Sequence, residues 1–165
     1  MYTRNLLWLV SLVSAAPLYA ADVPANTPLA PQQVFRYNNH SDPGTLDPQK
    51  VEENTAAQIV LDLFEGLVWM DGEGQVQPAQ AERWEILDGG KRYIFHLRSG
   101  LQWSDGQPLT AEDFVLGWQR AVDPKTASPF AGYLAQAHIN NAAAIVAGKA
   151  DVTSLGVKAT DDPTL

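Results

Sequence analysis

The chain has 165 residues, 45% of them hydrophobic, no cysteine, and a formal net charge of -8 at pH 7. This length allows one hydrophobic core or slightly more than one. The absence of cysteine excludes disulfide bonds, cysteine-based metal sites and a lipid-bearing cysteine anchor, while the acidic balance and scattered basic residues argue against nucleic acid as a partner.

The first 20 residues have the pattern of an export signal. Arg4 and the free amino group make the start positive, an apolar run extends from Leu6 to Ala16, and Pro17 ends it. A membrane-spanning helix needs about 20 apolar residues, so a signal is favoured over a membrane anchor. Cleavage is expected at or next to Ala20, which would release a soluble protein into the periplasm of a Gram-negative cell.

The next part of the chain predicts an extended leader, a strand and a helix. Residues 21–33 are rich in proline and small polar residues, and residues 34–38 alternate as a short strand does. From Asn54 to Leu67 the apolar residues recur at helical spacing, with Asn54 or Thr55 available as the N-cap and Gly66 near the end. We expect a helix that faces the core.

Two hairpins are predicted next. Residues 68–70 and 75–78 flank a Gly-rich turn, and residues 83–87 and 91–98 flank Asp88-Gly89-Gly90. The second arm of the longer hairpin alternates apolar and polar residues, so its sheet should be buried on one face. His96 falls on the polar face and is expected to be exposed.

The last part of the chain predicts two helices and a strand. Thr110 should cap a helix that runs to Val122, with Asp113 reaching back to the cap, and residues 139–147 predict a second helix ending at Gly148 and Lys149. Residues 157–159 suggest a strand, residues 161–163 a turn, and Thr164-Leu165 the start of a returning strand. We therefore interpret the chain as a fragment of a longer one.

The residues that catalysis needs are not arranged in any recognisable pattern. The three histidines are far apart in sequence, and neither a G-x-S-x-G elbow nor a phosphate-binding glycine loop is present. Three adjacent acidic pairs occur, but neighbours in sequence do not flank a bond as glycosidase carboxylates do. We expect no enzymatic activity, no cofactor and no metal site. The acidic pairs are Glu52-Glu53, Glu112-Asp113 and Asp161-Asp162.

Longer motifs resemble those of the dipeptide and oligopeptide solute-binding proteins of ABC importers, known as extracellular solute-binding protein family 5. The oligopeptide branch, which includes murein-peptide receptors, is more similar than the nickel or haem branches. The central runs are Ala81 to Glu85, Tyr93 to Arg98 and Trp103 to Phe114, and the flanking ones are Leu46 to Pro48, Asp62 to Leu67, Trp118 to Arg120, Val122 to Pro124, Thr126 to Pro129 and Leu155 to Ala159.

The resemblance implies a mixed α and β fold, the N-terminal part of a two-lobed periplasmic binding protein. Residues 1–20 would be the signal peptide, residues 21–65 the start of the first lobe, and residues 66–165 most of an additional small domain, truncated at its C-terminal end. At full length such a protein is expected to be a monomer.

The same resemblance implies a ligand-binding role for four residues. Glu52, Glu53 and Asn54 occupy the segment that pairs with a peptide backbone, and Phe130 stands where the family commonly has a tyrosine beside the ligand. The family more often has glycine and a small apolar residue at the positions of Glu53 and Asn54, so this edge is more polar. Phe130 keeps the aromatic face but lacks the phenol hydroxyl.

The leading functional hypothesis is capture of oligopeptides and their delivery to an inner-membrane ABC permease. Pairing with the main chain, which all peptides share, would allow broad specificity. The first alternative is the same scaffold binding an amphipathic or apolar solute, as Phe130 and the altered edge suggest. The second is a secreted interaction or chaperone-like module without a role in transport.

Overall fold

The structure, a computed structural model, describes residues 27–28, 31–32 and 34–160. The predicted export signal, most of the leader and the terminal turn lie outside these residues. The chain divides into two units, residues 1–38 and 39–165. Within the described part, no helix is long and apolar enough to span a membrane.

The described residues of the first unit have no regular secondary structure. Residues 34–38 are exposed and are not assigned to a strand, so the strand predicted there is wrong. Alternation alone does not make a strand, because a strand is defined by hydrogen bonds to a neighbour, and the ladders of the described residues join other segments. The rings of Phe35 and Tyr37 stack with their centroids 5.9 Å apart.

The first helix, α1, runs from Asn54 to Leu63. Its N-cap is Glu53 and not the predicted Asn54 or Thr55. Phe64 follows in an extended conformation, so the helix ends at Leu63, four residues before the predicted end. Of the residues expected to face the core, Leu67 is buried and Ile59 and Val60 are half-buried, whereas Leu63 and Phe64 are 60% and 44% exposed. Spacing predicted the helix correctly, but burial depends on a covering element that the described residues do not provide for Leu63 and Phe64.

Both predicted hairpins are present. β1 (Val68–Met70) pairs antiparallel with β2 (Val76–Pro78), and β3 (Ala81–Leu87) pairs antiparallel with β4 (Arg92–Leu97). The longer hairpin has an irregularity between Ala81 and Arg83. Main-chain hydrogen bonds from Ala81 to Leu67 and from Arg98 to Gln80 join the two hairpins at their bases.

Burial along β4 increases toward its end instead of alternating strictly. Tyr93, next to the turn, is 50% exposed, Ile94 and Phe95 are half-buried, and Leu97 is buried. His96 is also half-buried, and its Nε2 lies 2.7 Å from Glu85 Oε1, so the expectation that it is exposed is wrong. The base of the hairpin packs into the core through Ala81 and Leu97, while its tip is exposed.

The central helix, α2, runs from Ala111 to Val122. The Asp113 carboxylate accepts hydrogen bonds from the Thr110 backbone N–H (2.8 Å) and from the Thr110 hydroxyl (3.0 Å). The predicted capping pair is thus confirmed, with Asp113 as its principal acceptor. Asp123 ends the helix, and Pro124 begins a short 3-10 helix.

Two short helices follow. α3 (Ala131–Gln136) was not predicted, and α4 (Ala142–Val146) is shorter than the helix expected over residues 139–147. Asn141 has φ of 64°, a left-handed conformation that asparagine tolerates and that prevents a helix from running through it. Gly148, with φ of 69°, follows α4 as predicted.

Two apolar clusters form the core of the second unit. One contains Leu67, Ala81, Leu97, Ala111 and Val115, and the other contains Val122, Ala142, Ile145 and Leu155. Trp118 and Val157 pack against both clusters and so join them. Residues 157–159 form no strand, contrary to the prediction, because no described segment pairs with them in a ladder of main-chain hydrogen bonds, although Val157 and Ala159 pack against the core.

Candidate ligand-binding site

The first predicted binding segment lies where α1 begins. Glu52, Glu53 and Asn54 are all exposed. Glu53 has an extended backbone, and its carbonyl accepts the Ala57 N–H (2.9 Å) in the first turn of the helix. The segment is therefore an exposed polar edge whose backbone changes from extended to helical within two residues.

The Glu53 side chain is already engaged within the protein. Its Oε2 accepts the backbone N–H of Gly44 at 3.0 Å. A Cβ atom at position 44 would lie 2.7 Å from Glu53 Oε1, so any other residue there would displace the carboxylate. Glu53 thus holds the preceding loop against α1.

Phe130, the fourth predicted residue, immediately precedes α3 and is 46% exposed. Its backbone N–H donates to the Ser128 hydroxyl oxygen at 3.2 Å, and that hydroxyl donates to the Gln49 carbonyl oxygen at 2.7 Å. Ser128 is buried. The two predicted binding segments are therefore joined through Ser128 and Gln49, although they are far apart in sequence.

An ion pair fixes the same region to α2. Arg120 donates from Nη1 to Asp47 Oδ1 (2.9 Å) and from Nη2 to Asp47 Oδ2 (2.6 Å), a two-pronged arrangement. The side chain of Asp47 is 24% exposed and that of Arg120 is 47% exposed. These hydrogen bonds from Arg120 lower the pKa of Asp47 to about 2, although partial burial opposes the shift.

Sequence reasoning did not assign a role to Asp47, Gln49, Arg120 or Ser128. Three of them fall in motifs that carry the family resemblance, which was the only available signal. Nothing in the sequence pairs Asp47 with Arg120, since the chain offers many other acidic and basic residues. The structure selects this pair by bringing residues 47–50 against α2.

The side chains of this region offer hydrogen-bonding groups and an apolar surface. The Glu52 carboxylate and the Asn54 amide are exposed, the Phe130 ring is half-exposed, and the Ser128 hydrogen bonds to Gln49 and Phe130 are partly buried. Within the described ranges, no group of three His, Asp or Glu side chains could hold a metal ion.

Comparison with known proteins identifies the relatives of this chain. The profile of bacterial extracellular solute-binding proteins, family 5 Middle, matches residues 75–165. The chain is 99% identical over 165 residues to the probable deoxycholate-binding periplasmic protein YgiS of Escherichia coli (strain K12), covering 100% of this chain and 31% of that protein. It is 48% identical over 157 residues to the periplasmic oligopeptide-binding protein OppA of the same strain, covering 95% of this chain and 29% of OppA.

Solved structures show the same relationship. Haemophilus influenzae OppA in complex with the peptide RPPGFSPFR matches with a TM-score of 0.73 at 46% identity, covering 77% of this chain and 25% of that one. The Escherichia coli murein tripeptide binding protein MppA matches with a TM-score of 0.71 at 48% identity, covering 74% and 24%. The chain spans about a third of the length of the curated relatives it matches. The fold is that of the N-terminal part of these two-lobed binding proteins, and the chain belongs to the bacterial extracellular solute-binding proteins of family 5.

Proposed function

We propose that this chain is part of the periplasmic solute-binding component of an ABC importer, which captures a solute and delivers it to an inner-membrane permease. Family membership and the periplasmic relatives support this proposal. In it, residues 21–65 open the first lobe, and residues 66–165 form most of a small domain beside it. Closure of two lobes around the ligand would drive capture.

The ligand in this proposal is an amphipathic acid of the deoxycholate type. The observation that carries it is the 99% identity over the whole chain to a protein named as probably deoxycholate-binding. The chemistry of the site is compatible: a rigid apolar ring system can pack on the half-exposed Phe130 ring, and ligand hydroxyls can donate to Glu52 and to the Asn54 amide oxygen.

Peptide capture is the second candidate, and it is favoured by the 48% identity to an oligopeptide-binding protein. In that case the main chain at residues 52–54 would pair with an extended peptide. The two candidates differ in what Phe130 does. It provides an apolar platform for a bile acid, whereas main-chain pairing would supply most of the affinity for a peptide.

Calorimetric titration separates the two candidates. A protein carrying these residues at the full length of its relatives is titrated with deoxycholate and with a mixed tripeptide library. We expect saturable deoxycholate binding, weakened about tenfold by Phe130→Ala because the apolar contact is lost. Tyr93→Ala, at a similarly exposed ring on the longer hairpin, is the matched control. Binding of peptides alone would replace the first candidate with the second.

We also propose that residues 1–20 direct export and are removed. The positive start and the apolar run that ends at Pro17 support this. Fractionation of expressing cells should recover a form beginning near Ala21 in the osmotic-shock fluid. An uncleaved form in the membrane pellet would contradict the proposal.

A further inference from the structure

A network of long-range hydrogen bonds lies directly beside the proposed site. Gln49 makes four hydrogen bonds. Its main-chain N–H donates to Asp47 Oδ1 (3.1 Å), and its main-chain carbonyl accepts from the Ser128 hydroxyl (2.7 Å). Its side-chain Oε1 accepts from Arg120 Nη1 (2.6 Å), and its Nε2 donates to the Gly117 carbonyl (2.5 Å). Three of these bonds join segments 68 to 79 residues apart in sequence. Gln49 is therefore fixed relative to both α2 and the residues before α3.

The links from this network to the site residues are short and leave little freedom. Only Lys50 and Val51 separate Gln49 from Glu52, and the Val51 side chain is buried. Only Pro129 separates Ser128 from Phe130, and the proline ring restricts the backbone there. The Phe130 N–H is also bonded to the Ser128 hydroxyl. Fixing Gln49 and Ser128 therefore restricts both halves of the site.

We propose that Ser128 and Gln49 are positioning residues, which set the placement of the Phe130 ring relative to the polar edge at Glu52 and Asn54. The inference rests on the proposed function, since it concerns the affinity of the same site. A site whose parts are already ordered loses less conformational freedom when it binds a ligand. The Ser128 hydroxyl oxygen is the critical atom, because it donates to the Gln49 carbonyl oxygen and accepts the Phe130 N–H.

The first test is a double-mutant cycle on the full-length protein, with deoxycholate and the tripeptide library as probes. Ser128→Ala should weaken binding of the ligand that the wild type binds by about tenfold. In a Phe130→Ala background the same change should have an effect of about twofold or less, because the ring that Ser128 positions is gone. Unchanged affinity, or an equal loss in both backgrounds, would overturn the inference.

Ser154→Ala is the matched control. The Ser154 hydroxyl donates to the Asp151 carbonyl at 2.6 Å, so this variant also removes a bond from a serine hydroxyl to a main-chain oxygen, but in another part of the chain. Its affinity should equal that of the wild type. A loss equal to that of Ser128→Ala would show a general effect of stability and would overturn positioning.

The second test needs no ligand. Amide hydrogen exchange should become faster at Phe130 and across residues 49–56 in Ser128→Ala, and stay unchanged there in Ser154→Ala. If the wild type binds neither probe, the proposed function fails, and exchange alone decides the positioning role. Unaltered exchange across residues 49–56 would overturn that role whether or not a ligand binds.

Discussion

Among single residues, Asp47 shows most clearly how its partner determines its chemistry. Its ordinary pKa of 3.8 falls to about 2 because Arg120 donates two hydrogen bonds to its carboxylate. Since the folded pKa lies below the unfolded one, the ion pair stabilises the fold fully above pH 3.8. That contribution is lost as the pH falls through about 2.

Asp47→Asn should therefore lower the melting temperature at pH 7, and the difference from wild type should shrink toward pH 2. Circular dichroism melts across this range measure it. Asp88→Asn is a control, because both side chains of its ion pair with Arg92 are well exposed and such pairs contribute little. A pH-independent difference for Asp47→Asn would show that the carboxylate charge is not the stabilising feature.

At the scale of one element, the capping interaction at the start of α2 can be tested by mutation. Asp113 accepts two hydrogen bonds from Thr110, one from the backbone and one from the hydroxyl. Asp113→Ala should lower the free energy of unfolding by about 1 kcal/mol, and Thr110→Ala by about 0.5 to 1 kcal/mol, since it keeps the backbone bond.

Urea unfolding of both variants measures these losses, with Glu112→Ala as a control. Glu112 lies in the same turn and is exposed, so its removal changes mainly the interaction with the helix dipole, worth a few tenths of a kcal/mol. A larger loss for Glu112→Ala than for Asp113→Ala would contradict the capping assignment.

The helices also show which elements sequence patterns can predict. α2 was predicted well because its cap, apolar stripe and terminating proline all lie in one continuous segment. α3 has only six residues, too few to show a clear period, and was missed. The extent of α4 was overestimated because the left-handed conformation of Asn141 cannot be deduced from periodicity.

At the scale of the whole molecule, the length of the chain bears on how tightly it can bind a ligand. The chain covers 31% and 29% of two of its curated relatives, so the rest of such a protein can contribute further ligand contacts. Under the proposed function, we expect the 165-residue chain to bind deoxycholate at least about tenfold more weakly than a protein that carries these residues at the full length of its relatives. A ligand held on one open face keeps water on its other side, which screens its polar contacts.

Calorimetry on both lengths in one buffer checks this expectation, and circular dichroism confirms that the shorter chain is folded. Equal and tight binding by the two would show that the site lies wholly within residues 21–165. The division into a lobe and a small domain would then need revision.

The sequence by itself determined the family, the mixed α and β class, both hairpins and the start of α2. Each depends on residues close together in the chain, where spacing and turn chemistry act directly. It also placed Glu52 to Asn54 and Phe130 in one candidate site, through resemblance.

Only the tertiary structure decided how that site is held together. The bonds from Arg120 to Asp47 and from Ser128 to Gln49 join residues 73 and 79 positions apart. A sequence pattern cannot select such partners, because the choice depends on which segments pack against one another. Burial was decided in the same way: half-buried His96 and exposed Leu63 both depart from their local patterns, because neighbours distant in sequence determine what is covered.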